Sequence, residues 1–214
     1  MSRSIYLSVD LDFWCDGAGD YAWPGARRML KQLLELAKPM VMVADHGHML
    51  EHIEKYPCDC LVNIDAHSDM WNQSSYERII RREPDCSNWV NAVRWQKGKE
   101  YVWLHPFEIT STSNFDCGFC HGDDPNPFNK RNRPKHAWKK ASHKHGMLGA
   151  ASWKCIRAVG ISISEAWLDY SSFAEESIRW ALKHNIRIAD AGWLGREAHL
   201  DIKLIEEARE RYGT

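Results

Sequence analysis

Short apolar segments rich in β-forming residues alternate along this chain with segments of helical periodicity. The β-type segments are residues 5–9, 40–44, 61–64, 101–104, 156–163 and 186–189. Helical spacing follows Pro24, begins again near His48, occurs around Tyr76, Trp89 and Ile178, and continues through Glu206. This alternation predicts an α/β fold with three layers (αβα), in which helices cover both faces of a mostly parallel, doubly wound sheet.

The size and composition of the chain favour one domain over residues 1–214. Of its 214 residues 44% are hydrophobic, which is enough for a substantial core, and a net charge of -1 excludes binding of polyanions through overall charge. No segment is apolar for long enough to be a signal sequence or to cross a bilayer. Seven cysteines, an odd number, suit a reducing compartment. We therefore expect a cytoplasmic protein without a membrane partner.

Residues 110–150 show no periodicity and are rich in Asn, Pro, Gly, His and Lys. Because this is too long for an ordinary connection, we expect an insertion that is either disordered or covers a site. Its part at residues 130–144 contains seven lysines and arginines. The simplest interpretation is a solvated surface without a nucleic-acid partner, and the alternative is a docking site for an acidic peptide or nucleic acid.

Acidic and imidazole side chains follow the β-type segment at residues 61–64. They form the motif Asp65-Ala-His67-Ser-Asp69. If the strand continued through this motif, side chains at alternate positions would point the same way, so Asp65, His67 and Asp69 would emerge together. All three are side chains that bind metal ions in proteins.

Two other strand ends carry the same residue types. Asp10-Leu-Asp12 follows the first β-type segment, and Asp45-His46-Gly-His48 follows the second. Because open parallel sheets bind ligands at the carboxyl ends of their strands, we expect these groups to face one crevice. His46 is the better ligand candidate, since His48 suits the start of a helix.

Any one of these acids is readily explained as a helix cap or turn residue. The explanation fails for the set, because four carboxylates at one sheet edge repel one another unless cations neutralise them. Carboxylates and imidazoles without thiolate favour Mn²⁺ or a similarly hard ion. The ligands are too many for one ion, so we expect two Mn²⁺ per chain and metal-assisted hydrolysis.

These motifs resemble those of the arginase and deacetylase superfamily. In arginase-like enzymes a dimanganese centre is bound by an Asp-Ala-His-x-Asp motif, an Asp-His pair and an Asp-x-Asp pair. The matching residues here are Asp65-Ala-His67-Ser-Asp69, Asp45-His46 and Asp10-Leu-Asp12. The Asp-x-Asp pair follows the longer motif in arginases but precedes it here, which implies an arginase/deacetylase-like fold with a permuted strand order.

Within the superfamily the chain is most similar to the small peptide arginases, which convert arginine residues of ribosomally made peptides to ornithine. The length, His46 followed by Leu50, and the segment Gly160-Ile-Ser-Ile-Ser-Glu165-Ala-Trp167 carry this similarity. The resemblance implies a cytoplasmic hydrolase whose partner is an arginine-containing precursor peptide and whose products are peptidyl ornithine and urea. It leaves the oligomeric state open.

The resemblance also implies a role for each residue. Asp65 and Asp10 would bridge the ions, His46 and Asp69 would complete one site, and His67 and Asp12 the other. Glu165 would pair with the substrate guanidinium, although it equally fits the start of a helix. No residue after Asp69 matches the arginase proton shuttle, which leaves His105 and His145 as candidates. The catalytic set expected from the resemblance is Asp69, Glu165 and His105.

Two other functions fit the sequence. A deacetylase-like amide hydrolase with one zinc ion would use Asp65, His67 and Asp12 and leave His46 without a role. A non-catalytic peptide-binding module would recruit its partner through the basic segment, and its acids would be vestigial or would bind a structural ion. The number of metal ions per chain separates the first alternative from a dimanganese hydrolase.

Overall fold

The computed structural model describes residues 3–14, 23–70, 86–105, 135–140, 153–165, 171–196 and 199–213. In this part of the chain a parallel sheet of six strands is flanked by helices. The strands are β1 Ile5–Asp10, β2 Met40–Val43, β3 Cys60–Ile64, β4 Glu100–His105, β5 Lys135–Lys140 and β6 Ile156–Ser162. They are ordered β2-β6-β1-β3-β4-β5, and every neighbouring pair is parallel.

The helices of the described ranges lie between these strands and after the last one. They are α1 Trp23–Glu35, α2 Leu50–Lys55, α3 Trp89–Ala92, α4 Ser171–Lys183 and α5 Ile202–Tyr212. Three short 3₁₀ helices are at Leu11–Trp14, His46–Met49 and Ala191–Trp193. Among the residues described, no helix combines the length and apolar character needed to cross a bilayer.

Both faces of the sheet are buried, which explains why the strands lack a polar alternation. In β1, Leu7 and Val9 join a core that includes side chains of α1, α4 and α5. Tyr6, which points the other way, packs in a second core with side chains of α2 and α3. Helices therefore cover both faces, as the sequence predicts for an α/β fold with three layers.

Five of the six β-type segments are confirmed as strands. The segment at residues 186–189 is wrong as a strand, because it forms only a single parallel bridge between Ile188 and Met42 before the chain turns. Conversely, β5 lies within the stretch expected to be irregular. Its sequence Lys-His-Ala-Trp-Lys-Lys lacks an apolar run because it occupies the edge of the sheet, beside β4. The helix expected around Tyr76 and the remainder of residues 110–150 lie outside the described residues.

The imidazole of His52 in α2 binds a buried tyrosine of β1. Its Nδ1 lies 2.7 Å from the hydroxyl oxygen of Tyr6, which is fully buried. Burial, followed by the charges of Lys55 and Arg187, lowers the pKa of His52 from 6.5 to about 4. The neutral ring can therefore accept the hydrogen of the Tyr6 hydroxyl throughout the neutral pH range.

We expect His52 to reduce the stability of the fold in acid. The pKa of His52 is about 4 in the folded chain and 6.5 in the unfolded chain. As the pH decreases, the unfolded chain therefore binds a proton at His52 before the folded chain does. The free energy of unfolding consequently falls between pH 6.5 and pH 4. Urea unfolding of His52→Asn across that range should show a shallower pH dependence than the unsubstituted chain. Equal slopes for His52→Asn and the unsubstituted chain would contradict the assignment.

Candidate metal centre

Strands β1, β2 and β3 deliver the candidate ligands to the carboxyl edge of the sheet. Asp10 is the last residue of β1, and Asp12 lies in the 3₁₀ helix that follows. His46 begins the 3₁₀ helix after β2, where the Asp45 carboxylate caps the turn by accepting the Gly47 N–H. Asp65 directly follows β3, which pairs with β1. The parallel register therefore brings these groups together, as expected for this fold.

The Asp65–Asp69 motif converges by a different route from the one its spacing suggests. Strand β3 ends at Ile64, so the motif is not extended, and Asp69 has a left-handed backbone with φ 52°. The loop folds back on itself, with the His67 N–H donating to Asp65 Oδ1 at 2.6 Å. The Asp69 carboxylate accepts a hydrogen bond from the Trp89 indole of α3. Alternation along a strand is therefore the wrong explanation for a convergence that does occur.

One candidate ion site consists of Asp10, His46 and Asp65, whose potential ligand atoms lie within 4.8 Å of one another. His46 Nδ1 is 2.9 Å from Asp10 Oδ2, 3.3 Å from Asp65 Oδ2 and 2.9 Å from Asp69 Oδ2. All four side chains are buried. Within the described part of the chain this nitrogen has no partner in hydrogen-bond geometry. Three carboxylate oxygens crowded around one such nitrogen match the donor set of a divalent cation.

A second candidate site consists of Asp12, Asp65 and His67. His67 Nδ1 lies 2.9 Å from Asp12 Oδ2 and 3.8 Å from Asp65 Oδ1. The two carboxylates are buried, whereas the His67 side chain is 37% exposed. The second site is therefore the more open of the two, and His67 marks the side from which solvent reaches the centre.

Asp65 belongs to both candidate sites, and its two oxygens point in different directions. Oδ2 faces His46 and also accepts a hydrogen bond of 2.9 Å from Asn63 Nδ2, whereas Oδ1 faces His67. A carboxylate with one oxygen toward each imidazole has the geometry of a bridge between two cations. Asp10 belongs only to the first site. Asp65 is thus the residue that the two candidate sites share, and the bridging roles expected for Asp65 and Asp10 both stay predictions.

The electrostatics of the centre are unfavourable without a cation. Burial, reinforced by Asp10 and Asp65, raises the pKa of Asp12 well above its ordinary value. Burial, with Asp69 and Asp10, does the same to the pKa of Asp65. Burial also favours neutral Asp10, but the nearby His46 outweighs it and lowers the pKa of Asp10. The carboxylates thus cannot all be ionised together unless positive charge enters the site.

Both histidines hold a proton in the absence of metal. Burial acts to lower the pKa of His46, but Asp69 and the other nearby carboxylates raise it well above its ordinary value. For His67, the hydrogen bond and charge of Asp12 outweigh burial and raise the pKa to about 10. These protons are the positive charge that a divalent cation would replace, so binding of a cation must release them.

His105, Glu165 and His48 lie at or shortly after the carboxyl ends of β4, β6 and β2. Glu165 is buried just after β6, where both carboxylate oxygens accept from the Gly195 N–H at 2.9 and 3.1 Å. His105 is the last residue of β4, at the same edge of the sheet. His48 binds Asp190 instead of joining a candidate ion site. His145 lies outside the described residues.

Asp190 supports the centre and was missed by sequence reasoning. Its carboxylate accepts the Ala44 N–H at 2.7 Å and the Asp45 N–H at 3.3 Å, and it also binds the His48 ring. It therefore holds the backbone from which His46 projects. The available signal was an acid directly after the β-type segment at residues 186–189, the same signal that identified Asp10 and Asp65.

Buried polar residues two positions before the site residues were also missed. Ser8 precedes Asp10, Asn63 precedes Asp65, and Ser162 precedes Ser164, whose hydroxyl donates to Asp10. Residues two apart in a strand lie on one face. A polar residue at this position of an otherwise apolar strand is a signal that sequence reasoning could have used.

The fold and the site together define an α/β protein with a candidate metal centre at the carboxyl edge of a parallel sheet. The donor set is two imidazoles and four carboxylates, with no cysteine in either candidate group. No protein-family model matches the chain, and neither a curated protein nor a solved structure is significantly similar to it. The argument for its function therefore depends on the chemistry of the site.

We expect Mn²⁺ to bind in the ratio of two ions per chain and to release protons. Since His67 must lose a proton held with a pKa of about 10, its contribution raises affinity about tenfold for each pH unit between 6 and 8. Calorimetry in buffers of different ionisation enthalpy measures the released protons. A cation at about 100 times its Kd should stabilise the fold by about 2.7 kcal/mol per site.

A matched pair of variants tests which carboxylate bridges the ions. Asp65→Asn removes the oxygen charge shared by both candidate sites, so at least one ion should be lost. Asp45→Asn is the control, because Asn can still cap the turn at Gly47 and Asp45 belongs to neither candidate site. Loss of ions from both variants, or from neither, would contradict the assignment of Asp65.

Proposed function

We propose that this protein is a dimanganese hydrolase that converts peptidyl arginine to peptidyl ornithine and urea during the maturation of a ribosomally made peptide. The observation that carries the proposal is the geometry of Asp65, whose two oxygens face His46 and His67 separately. Two divalent cations held there would supply Lewis-acid activation of a water molecule near neutral pH. The similarity of the motifs to those of peptide arginases supports the choice of reaction.

The protein side chains have distinct tasks in this reaction. Asp10, His46 and Asp69 hold one side of the centre in a buried position, whereas the other side pairs the buried Asp12 with the partly exposed His67. The substrate therefore enters past His67. Burial of the carboxylates strengthens their interaction with cationic groups, since little water competes for them.

Glu165 is the residue proposed to recognise the guanidinium. It is buried one position after Ser164, whose hydroxyl binds Asp10, so its backbone is tied to the centre. A carboxylate has about four acceptor positions, and a planar guanidinium can fill two of them with parallel N–H groups. Such an interaction would hold the guanidinium carbon of the substrate toward the metal centre until the products separate.

The dimanganese proposal is favoured over a deacetylase-like enzyme with one zinc ion. A single ion bound by Asp12, Asp65 and His67 would leave His46 surrounded by three carboxylates and without a function. A peptide substrate, in preference to free arginine, is supported by the resemblance, and a role of residues 110–150 in covering the site is one of the two expectations for that segment.

Mass spectrometry provides the direct test of the reaction. The Mn²⁺-loaded protein should reduce the mass of an arginine-containing peptide by about 42 Da per converted residue, because hydrolysis takes up water and releases urea, so the residue loses its guanidine carbon, two of the three guanidine nitrogens and two hydrogens (net CH2N2). Asp65→Asn should be inactive, and Asp45→Asn should retain activity. Reaction with free arginine alone would refute the peptide substrate. A protein that binds two ions but leaves every guanidinium intact would refute the proposal as a whole.

Substitution of Glu165 tests how the substrate is recognised. Glu165→Gln keeps the acceptor for Gly195 but loses the charge, so we expect kcat/KM for arginine peptides to fall by about 10- to 100-fold. The number of bound Mn²⁺ ions should stay the same, because Glu165 belongs to neither candidate site. An unchanged kcat/KM would remove Glu165 from the proposal, and a lost ion would make it a ligand.

The alternative to an enzyme is a protein that binds a precursor peptide without catalysing a reaction. It requires that His67→Ala and Asp65→Asn leave the binding of a precursor peptide intact while no peptide changes mass. Binding of a fluorescent arginine peptide, measured beside the mass assay, distinguishes this outcome from the loss of an enzyme.

A further inference from the structure

We propose that Ser8 is a positioning residue that fixes the tautomer of His46 and makes Nδ1 its metal-binding atom. This inference rests on the metal centre of the proposed function and goes beyond it, because neither the motifs nor the resemblance involves Ser8. Ser8 lies in β1 on the same face as Asp10 and is fully buried.

The hydroxyl of Ser8 lies between two side chains that limit how it can bond. Its Oγ is 2.7 Å from His46 Nε2 and 3.3 Å from the sulfur of Met49. All three side chains are fully buried. A thioether sulfur accepts hydrogen bonds but has no hydrogen to donate. The structure pairs the Ser8 hydroxyl as donor with the Met49 sulfur, and a hydroxyl has only one hydrogen to donate.

This direction determines the role of His46. With its hydrogen on Met49, the Ser8 oxygen presents a lone pair to Nε2, so Nε2 must carry a hydrogen and donate it. In the neutral ring Nδ1 is then the unprotonated nitrogen. Nδ1 is the atom surrounded by Asp10, Asp65 and Asp69. The network thus points the lone pair of His46 into the candidate ion site, as outer hydrogen bonds commonly do for metal-binding histidines.

Gly160 makes the contact between Ser8 and Met49 possible. It lies opposite Ser8 in the pairing of β1 with β6. A Cβ atom at this position would lie 2.2 Å from the Met49 sulfur and 2.6 Å from the Tyr6 hydroxyl oxygen, and neither distance is tolerable. Any larger residue must displace Met49, so the glycine preserves the acceptor that orients the Ser8 hydroxyl.

The other side of the His46 ring is also restrained. The ring centroid lies 4.5 Å from that of Trp89, with an angle of 34° between the planes. The Trp89 indole in turn donates to Asp69. Packing therefore limits the position of the ring, whereas the Ser8 hydroxyl decides which nitrogen is protonated.

The test combines metal binding with a direct measurement of the tautomer. Ser8→Ala should bind one of its two Mn²⁺ ions about 10- to 100-fold more weakly, with the other affinity unchanged. Ser177→Ala is the matched control, because Ser177 is equally buried but its hydroxyl binds a carbonyl oxygen within α4. Gly160→Ala should weaken the same ion as Ser8→Ala, although it leaves the hydroxyl in place.

Nitrogen-15 NMR of the histidine rings, with diamagnetic Zn²⁺ as the probe, tests the tautomer without any variant. The His46 signals of the unsubstituted protein should show a protonated Nε2 and a metal-bound Nδ1. A protonated Nδ1 would overturn the inference even if Ser8→Ala fails to fold. Unchanged affinities and tautomer in Ser8→Ala would overturn it as well.

The outcomes separate this inference from the proposed function. An unsubstituted protein that binds no metal would overturn both. Two bound ions with no effect of Ser8→Ala would overturn the role of Ser8 and leave the hydrolase proposal intact. If Ser8→Ala weakens one metal site as expected but the unsubstituted protein converts no arginine, the role of Ser8 is supported and the proposed hydrolase reaction is refuted.

Discussion

The mutual repulsion of buried carboxylates is the interaction on which the rest of this structure depends. Asp10, Asp12, Asp65 and Asp69 lie at one edge of the sheet with little water to separate their charges. Without a cation the cluster must hold protons, as the raised pKa values of Asp12 and Asp65 indicate. This carboxylate cluster destabilises the protein when no cation is bound and favours the binding of cations. The fold therefore keeps the carboxylates together at a cost in folding stability.

Much of the architecture could be predicted because two physical rules apply locally. Strands buried on both faces need continuous apolar runs, and this identified β1, β2, β3, β4 and β6. Parallel strands end at one edge, and this rule predicted that Asp10, Asp12, His46, Asp65 and His67 would face one crevice, where the fold groups them in two candidate ion sites. The identity and number of the ions, and the reaction, stay predictions.

The features that escaped prediction depend on the tertiary structure. The left-handed backbone conformation of Asp69 lets a loop bring Asp65, His67 and Asp69 together, which the sequence pattern attributed to an extended strand. The basic strand β5 has no apolar pattern in its sequence, and it is recognised by its pairing with β4. Asp190 and Ser8 act on residues 142 and 38 positions away. Their partners become visible only when the sheet is assembled.

The central position of β1 has a consequence for when the site can form in the cell. The pairing of β1 with β3 requires only the chain up to Ile64. The other edge of β1 pairs with β6, which is translated much later. Ser164, whose hydroxyl donates to Asp10, lies 154 residues after that aspartate. A nascent chain still on the ribosome thus exposes its aspartates before their scaffold exists. Any binding of a cation at the candidate centre would therefore follow translation of β6.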